Sequence, residues 1–342
     1  MKSPNSNSTA LILEAKAERW PLKAPFHITG HTLVDLDVVV VTLKQNGCVG
    51  RGEAAGIFYR GENVSSMLHQ IESVRSSIGA GIDCDSLRSL LPAGGARNAV
   101  DCALWDLKAQ LTGQPVWQQL GLEEPKPVPT VYTLGADSPQ NMAAEARAFS
   151  EARMLKMKLT GEPIDRDRLL AVRAARPDVP LSADANQGFT PAFLEQLIPV
   201  LQEARVILIE QPFPIGEDRL LEGLDRPIPI AADESAETSD HLASLVGRFD
   251  VVNIKLDKAG GLTEAVAMAR EAQRLGLGVM VGNMHGTSLA MAPATLLGQF
   301  CQVADLDGPL FLRSDRSPAA QYHDGRVWCP AELWGGINTK SR

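Results

Sequence analysis

The chain has 342 residues, of which 44% are hydrophobic and 22% charged, a composition typical of soluble globular proteins. Its net charge of -8 and the lack of a basic stripe argue against a nucleic-acid partner, because phosphate binding relies on clustered Lys and Arg. The sequence contains no signal peptide, no apolar run approaching the roughly 18 residues of a membrane helix, and no CxxC pair. We therefore expect a cytoplasmic protein with neither nucleic-acid nor membrane partners.

The first 125 or so residues predict an α+β unit. Residues 34–55 contain four consecutive valines and an Asn46-Gly47 pair, which is the pattern of a β-hairpin. An amphipathic helix is predicted from Asn63 to about Ile78, and a second over residues 95–113 ends on a glycine. Strands followed by helices are typical of the α+β class.

From about residue 129 short apolar strands alternate with helical stretches such as AEARAFSEAR and LTEAVAMAREAQRLG. The strand candidates are PTVYTLG, MLKMKL, VPLSADAN, VILIEQP, IPIAADES, DVVNIKLD, LGVMVGN and QVADLDG. Such alternation predicts parallel strands, and eight units predict a closed TIM-like barrel. An open doubly wound sheet is the alternative, although no GxGxxG follows the first strand.

Two lysines, Lys156 and Lys158, lie on one face of the predicted second barrel strand. An exposed edge strand protected by its lysines is one explanation. Against it, reactive residues recur about once per βα unit at the ends of the strands that follow. In chain order they are Lys158, Asp184, Glu210, Asp233 and Lys255, and then Asp305 and Asp307.

Three carboxylates meeting at the mouth of a barrel repel one another unless a cation lies between them. Ligation by carboxylates alone favours Mg²⁺ or Mn²⁺ over zinc, although each acid on its own could instead cap a helix or form a salt bridge. Lys158 and Lys255 fall on opposite sides of the barrel axis. Inversion of a carbon requires two bases on opposite faces, with a metal stabilising the enolate charge between the two proton transfers.

These residues resemble the enolase superfamily, and within it the muconate-lactonizing subgroup and its dipeptide epimerases. The resembling motifs are KMKL (156–159), ADANQGF (183–189), LIEQP (208–212), ADES (232–235), NIKLDKAGGLTEA (253–265), ADLDGP (304–309), PLKAPF (21–26) and LPAGGARNAVDCALWDLKAQ (91–110). The resemblance implies an α/β fold, a (β/α)7β TIM-like barrel with an N-terminal α+β capping domain that the C-terminal tail completes. The implied cap is 1–125, with specificity loops at about 24–36 and 54–62; the implied barrel is 126–310, and the segment 311–342 packs back toward the cap.

The resemblance also implies roles for individual residues. It makes Asp184, Glu210 and Asp233 the ligands of Mg²⁺, with Mn²⁺ as a substitute. Lys158 and Lys255 become the acid/base pair, assisted by Lys156, as lysine bases and Mg²⁺ are used in that superfamily. The implied substrate-binding residues are Asp305, Asp307, Thr133, Met284 and His285, and the residues implied to support the metal ligands are Asn186 and Asp257.

Two features bear on the substrate. In dipeptide epimerases an Asp-x-Asp like Asp305 and Asp307 holds the free α-ammonium of the dipeptide, although Asp-Gly-Pro is also turn chemistry. Epimerases acting on Ala-Glu carry an arginine in the first cap loop, whereas residues 30–35 read GHTLVD here. Arg60 or Lys23 could substitute, or each could be a solvated loop charge, so the side chain of the C-terminal residue stays open.

The expected function is that of a Mg²⁺-dependent dipeptide epimerase that inverts the α-carbon of the C-terminal residue by two-base proton transfer. The alternatives are a racemase of N-acylated amino acids, a cycloisomerase or dehydratase of the same subgroup, and a catalytically inactive barrel that serves as a scaffold. The expected partner is a small-molecule dipeptide, and we expect a homo-oligomer.

Overall fold

The computed structural model describes residues 10–28, 31–301 and 303–337. The β-strands are β1 (Ile12–Ile28), β2 (His31–Gln45), β3 (Cys48–Ala54), β4 (Val128–Pro129), β5 (Tyr132–Leu134), β6 (Leu155–Lys158), β7 (Leu181–Asp184), β8 (Val206–Glu210), β9 (Ile230–Ala232), β10 (Val251–Lys255), β11 (Gly278–Gly282), β12 (Val303–Ala304), β13 (Gln321–His323) and β14 (Arg326–Trp328). The α-helices are α1 (Val64–Ser73), α2 (Arg75–Gly79), α3 (Cys84–Leu90), α4 (Gly95–Thr112), α5 (Val116–Gln119), α6 (Pro139–Ala148), α7 (Asp165–Ala175), α8 (Pro191–Glu203), α9 (Leu256–Ala259), α10 (Leu262–Arg274) and α11 (Ser288–Leu297). Short 3-10 helices lie at Phe58–Arg60, Asp218–Leu221, Ser239–Leu245, Gly298–Phe300 and Gly308–Phe311.

The N-terminal part is an antiparallel sheet in the order β1-β2-β3, packed against helices with its own apolar core. The predicted hairpin is confirmed, because Asn46 and Gly47 join β2 to β3 with φ of 51° and 79°. Helix α4 lies close against β3, where a Cβ on Gly50 or Gly52 would come within 2.2 or 2.1 Å of a helix carbonyl oxygen. Only glycine fits at these two positions.

Two predicted helices have different bounds from those expected. The predicted helix from Asn63 to about Ile78 is divided at Val74 into α1 and α2, and Asn63 and Ser66 form a capping box at its start. The predicted AEARAFSEAR helix ends early, because α6 stops at Ala148. Phe149 then leaves the helix and packs edge-on against Tyr132 of the first barrel strand, with ring centroids 5.3 Å apart.

The eight predicted barrel strands are confirmed. Strands β5 to β12 form one parallel sheet in sequence order, and most of their residues are buried. A parallel bridge between Thr130 and Ala304 closes the ring, and the Val131 amide donates to the Ala304 carbonyl over 2.9 Å. The closed ring in sequential order excludes the open doubly wound sheet.

The C-terminal tail returns to the N-terminal sheet after it leaves the barrel. The β13–β14 hairpin pairs with β4 beneath the barrel. The Arg313 amide donates to the Pro21 carbonyl (2.9 Å), and the Trp334 indole donates to the Arg51 carbonyl (2.9 Å). The fold is therefore a TIM-like barrel with an N-terminal cap completed by the tail. Across the described ranges, no helix combines the length and apolarity needed to cross a membrane.

Candidate active site

The predicted reactive residues meet at one end of the barrel. Lys158, Asp184, Glu210 and Lys255 are the last residues of β6, β7, β8 and β10, and Asp233 follows β9 by one position. Parallel strands of a barrel all end at the same face, so residues from distant parts of the chain converge there. Each of the five residues is buried. A cavity of about 360 Å³ lies above them, between the barrel and the cap.

Lys156 is completely buried and is surrounded by carboxylates. Its Nζ donates to Asp305 Oδ2 over 2.7 Å and lies 3.0 Å from Asp184 Oδ2 and 2.8 Å from Glu210 Oε2. Strand β6 also pairs on both sides, with β5 and β7. The edge-strand explanation of the two lysines is therefore wrong.

The two candidate acid/base lysines each pair with a different carboxylate. Lys158 Nζ lies 2.6 Å from Asp184 Oδ2, and Lys255 Nζ lies 2.7 Å from Asp233 Oδ2. Both side chains line the cavity. A third lysine, Lys258, lies 2.6 Å from Asp233 Oδ1 and is fully buried. Lys258 was not predicted from the sequence, although it lies in the same NIKLDKAGG motif as Lys255.

The pKa directions follow from burial and from these pairings. Burial alone would raise the pKa of Asp184, but Lys156 and Lys158 hold it below its usual value. Burial likewise opposes ionisation of Asp233, whose pKa is nevertheless lowered by Lys255 and its neighbours. Burial and the charge of Asp184 raise the pKa of Glu210 to about 8. Of the three carboxyls, Glu210 is thus the one held toward its protonated form, whereas the ammonium groups keep Asp184 and Asp233 ionised.

The carboxylates fit a hard divalent cation by their chemistry. Glu210 Oε2 is buried and accepts no hydrogen bond, because its ion pair with Lys156 lacks hydrogen-bond alignment. The side-chain oxygens of Asn186 and Asn253 are also buried and accept no hydrogen bond. An all-oxygen set of this kind suits Mg²⁺ rather than zinc. Within the described residues no three His, Cys, Asp or Glu side chains are gathered as a metal-binding group, and an ammonium group lies against each of the three carboxylates. The ligand assignment stays a prediction.

Asp305 and Asp307 lie side by side after the last barrel strand. Asp305 pairs with Lys156, whereas Asp307 Oδ2 accepts a 2.6 Å hydrogen bond from the Thr133 amide. Burial and the charge of Asp305 raise the pKa of Asp307 to about 8. The 3-10 helix from Gly308 to Phe311 follows directly, so the Asp-Gly-Pro segment also forms the turn expected of it. Thr133 thus contacts Asp307, and the substrate-binding role of the three residues stays a prediction.

Met284 and His285 lie on the loop after β11 and line the cavity. The His285 ring packs edge-on against Phe26 of the cap, with centroids 5.1 Å apart, and against Phe311 of the tail at 5.9 Å. Burial and the charge of Lys158 lower the pKa of His285 to about 4, so the imidazole is neutral near pH 7. His285 therefore has both a packing role and a face on the cavity.

Asn186 and Asp257, both expected to support the metal ligands, make different contacts. The backbone amide of Asn186 donates to Asp184 Oδ1 over 2.9 Å, and Asn186 lines the cavity. Asp257 instead accepts a 2.8 Å hydrogen bond from the Gly56 amide in the second cap loop. Asp257 is buried, which raises its pKa to about 7. In the structure it anchors the cap to the barrel and makes no hydrogen bond to a carboxylate of the site.

Parts of both cap loops face the cavity. From the first loop, Thr29 and Gly30 lie outside the described residues, and Leu33, Asp35 and Leu36 line the cavity. From the second loop the lining residues are Ala55, Gly56, Phe58, Tyr59 and Glu62. The suggested arginine substitutes are engaged elsewhere: Arg60 pairs with Glu237 over 2.6 Å, and Lys23 donates to the Leu310 carbonyl over 2.8 Å. Neither side chain lines the cavity.

A buried network that the sequence did not reveal joins the cap, the barrel and the tail. Glu53, in β3, accepts hydrogen bonds from the amide and the hydroxyl of Thr287, over 2.7 and 2.6 Å. Arg316 of the tail donates to the same carboxylate over 3.0 Å and pairs with Glu18 over 2.8 Å. Thr287 ends the loop that carries Met284 and His285. The network therefore holds a wall of the cavity to the cap.

Comparison with known proteins decides the family. Residues 141–337 match the family described as "Enolase C-terminal domain-like", and residues 11–121 match "Mandelate racemase / muconate lactonizing enzyme, N-terminal domain". The chain belongs to the mandelate racemase/muconate lactonizing enzyme family of the enolase superfamily. The resemblance found in the strand-end motifs is confirmed.

Individual relatives match over nearly their whole length. The chain is 41% identical over 312 residues to the L-Ala-D/L-Glu epimerase of Escherichia coli (strain K12), covering 91% of this chain and 97% of that protein. It is 38% identical over 309 residues to the N-acetyl-D-glutamate racemase of Pseudoalteromonas sp, covering 89% and 97%. The chain is also similar to a solved structure from Agrobacterium tumefaciens, an enolase family member with homology to dipeptide epimerases that has bound sodium and L-Ala-L-Glu. The two superpose with a TM-score of 0.92 at 42% identity, over 95% of this chain and 100% of that one.

Proposed function

We propose that this chain is a Mg²⁺-dependent dipeptide epimerase, an isomerase that inverts the α-carbon of the C-terminal residue. The observation that carries the proposal is the pair of lysines, Lys158 and Lys255, which reach one cavity from the second and sixth strands of the barrel. Each ammonium lies against a buried carboxylate. The names of relatives that match over nearly their whole length point to the same reaction.

The lysines carry the proton transfers. One of them, as the free amine, removes the α-proton while the electron pair stays on the substrate, and the other, as the ammonium, gives a proton to the opposite face. Asp184, Glu210 and Asp233 would hold the cation, which when bound supplies Lewis-acid stabilisation of the negative charge on the substrate carboxylate. Lys156 adds a fixed positive charge beside these carboxylates, and Lys258 fixes the orientation of Asp233.

The remaining residues place the two ends of the dipeptide. Asp305 and Asp307 accept hydrogen bonds from the free α-ammonium, a charge-assisted contact. The Thr133 amide fixes Asp307 in position for this. Met284 and neutral His285 form the wall next to the lysines, and they exclude water without adding charge.

A racemase of N-acylated amino acids is the second candidate. It would use the same lysines and cation, and the similarity to the N-acetyl-D-glutamate racemase of Pseudoalteromonas sp favours it. Its substrate has no free ammonium, so two buried acids at that end of the site would be left without a cationic partner from the substrate. We therefore favour the dipeptide. On the family resemblance alone, we also propose a cytoplasmic homo-oligomer. Light scattering after size-exclusion chromatography measures the number of subunits.

The test is mass spectrometry of pooled L,L-dipeptides and N-acylated amino acids incubated with the protein and Mg²⁺ in D₂O. Epimerisation leaves one deuterium on the α-carbon, so the substrates are those whose mass rises by about 1 Da. We expect dipeptides to gain deuterium and N-acylated amino acids not to. Exchange in the N-acyl pool alone would replace the epimerase by the racemase. No exchange in either pool would refute the two-lysine reaction.

A further inference from the structure

The two candidate acid/base lysines are followed by segments that different parts of the molecule hold in place. After Lys158, the backbone amides of Thr160 and Gly161 donate to Asp165 Oδ2 over 3.0 and 2.8 Å. Asp165 is the first residue of α7, so these hydrogen bonds stay within the barrel. Arg168, also in α7, donates to the Thr160 hydroxyl over 2.7 Å. The barrel therefore fixes the segment that follows Lys158.

The segment after Lys255 is tied to the cap instead. Lys255 leads directly into α9, a helix of four residues that has few hydrogen bonds of its own. Asp257 in this helix is buried, and its side chain accepts the 2.8 Å hydrogen bond from the Gly56 amide of the second cap loop. Lys258 connects the same helix to Asp233 in the barrel. Helix α9 is therefore a bridge between a cap loop and the site.

A second cap contact holds the C-terminal end of α9. Arg97 of cap helix α4 is buried and donates to the carbonyls of Ala259 and Gly260, over 2.5 and 3.0 Å. The start of α10 is held in the same way, because Asp101 of α4 accepts hydrogen bonds from the amide and the hydroxyl of Thr263, over 3.0 and 2.6 Å. The position of the chain after Lys255 thus depends on the cap at several points.

We propose that Asp257 is a positioning residue for Lys255, and that through it the cap controls one of the two proton transfers. The hydrogen bond to Asp257 fixes α9, and Lys255 is the residue from which this helix starts. Lys158 is held by contacts inside the barrel, so loss of the Asp257 contact leaves it in place. The inference rests on the proposed function and adds an asymmetry between its two bases.

The expected size of the effect follows from the geometry that proton transfer requires. A base must lie in line with the α-proton, and a misplacement of about 1 Å can cost on the order of 100-fold in rate. Asp257→Ala removes one anchor of α9 and leaves the Arg97 anchor intact. We therefore expect a smaller loss, roughly tenfold, in proton removal by Lys255.

The test measures the initial rate of deuterium incorporation at the α-carbon from the L,L and the L,D form of the best dipeptide, each at saturating concentration with Mg²⁺ in D₂O. The form that depends on Lys255 is the one that Lys255→Arg fails to exchange. We expect Asp257→Ala to slow this form by roughly tenfold and the other form by less than about twofold. The other form is the internal control, because a loss of folded protein or of bound cation slows both forms alike.

Asp257→Asn is the matched variant, since its side-chain oxygen can still accept the hydrogen bond from Gly56, and it should restore exchange of the slowed form. If circular dichroism shows that Asp257→Ala does not fold, Arg97→Lys replaces it, because one ammonium cannot reproduce the guanidinium contacts with both carbonyls, and the same form should be slowed. Equal slowing of both forms, or no change in either, would overturn the inference. Exchange of no dipeptide by the wild-type protein would refute the proposed function itself, and the inference with it.

Discussion

Removing Arg316 should destabilise the protein strongly, because it leaves a buried carboxylate without its cationic partner. Glu53 is fully buried, and Arg316 is its only ion-pair partner among the described residues. Breaking a buried pair from one side costs about 3–5 kcal/mol. In Arg316→Met the two hydrogen bonds from Thr287 remain, so we expect the lower end, about 3 kcal/mol of unfolding free energy.

The loss should depend on pH in a defined direction. Burial already raises the pKa of Glu53 despite Arg316, and removal of the guanidinium should raise it further. A carboxyl whose pKa is higher in the folded state binds a proton on folding. Its penalty is therefore absent below the unfolded-state pKa, grows as pH rises from there to the folded-state pKa, and is level above it. The cost of Arg316→Met should therefore be larger at pH 8 than at pH 5.

Urea unfolding followed by circular dichroism at both pH values measures the effect. Arg153→Met is the control, because Arg153 forms an exposed ion pair with Asp324 that is worth about 0–1 kcal/mol. A cost below about 1 kcal/mol for Arg316→Met at pH 8, or a cost that does not change with pH, would refute the reasoning about Glu53.

Three further predictions concern charge. Burial raises the pKa of Asp101 to about 6. The wild-type protein should therefore lose stability relative to Asp101→Asn as pH rises from about 4 to about 6, and the difference in unfolding free energy should be constant above that. Urea unfolding of both proteins across this pH range measures the difference. Chelation with EDTA should abolish deuterium exchange without changing the circular dichroism spectrum, and Mg²⁺ should restore it; exchange that persists in EDTA would contradict the cation site. Asp305→Asn should raise KM for dipeptides by roughly 10- to 100-fold by weakening the ammonium contact, and equal KM in steady-state assays of both proteins would exclude that contact.

Residues at strand ends were predictable from the sequence because the barrel fold determines where they go. Apolar runs alternating with helical stretches gave the strand order, and all parallel strands end at the same face. Lys158, Asp184, Glu210, Asp233 and Lys255 therefore converge, whatever the loops between them do. Lys158, Asp233 and Lys255 line the cavity, and Asp184 pairs with Lys158.

Contacts between distant segments were not predictable. Glu53 lies 234 positions before Thr287 and 263 before Arg316, and no periodicity relates the three. Tyr59 and Arg60 are neighbours in one loop, yet one faces the cavity and the other pairs with Glu237. In an irregular loop the direction of a side chain depends on backbone angles that no repeat in the sequence sets.

The proposed reaction requires two lysines that act on opposite faces of one carbon. Lys158→Arg and Lys255→Arg keep the positive charge beside Asp184 and Asp233, but arginine stays protonated and cannot act as a base. Deuterium exchange of the L,L and L,D forms of the best dipeptide should be measured by mass spectrometry for both variants. We expect each variant to lose epimerisation and to exchange only one of the two forms, and we expect the two variants to exchange opposite forms. Exchange of the same form by both variants, or of both forms by either, would contradict it.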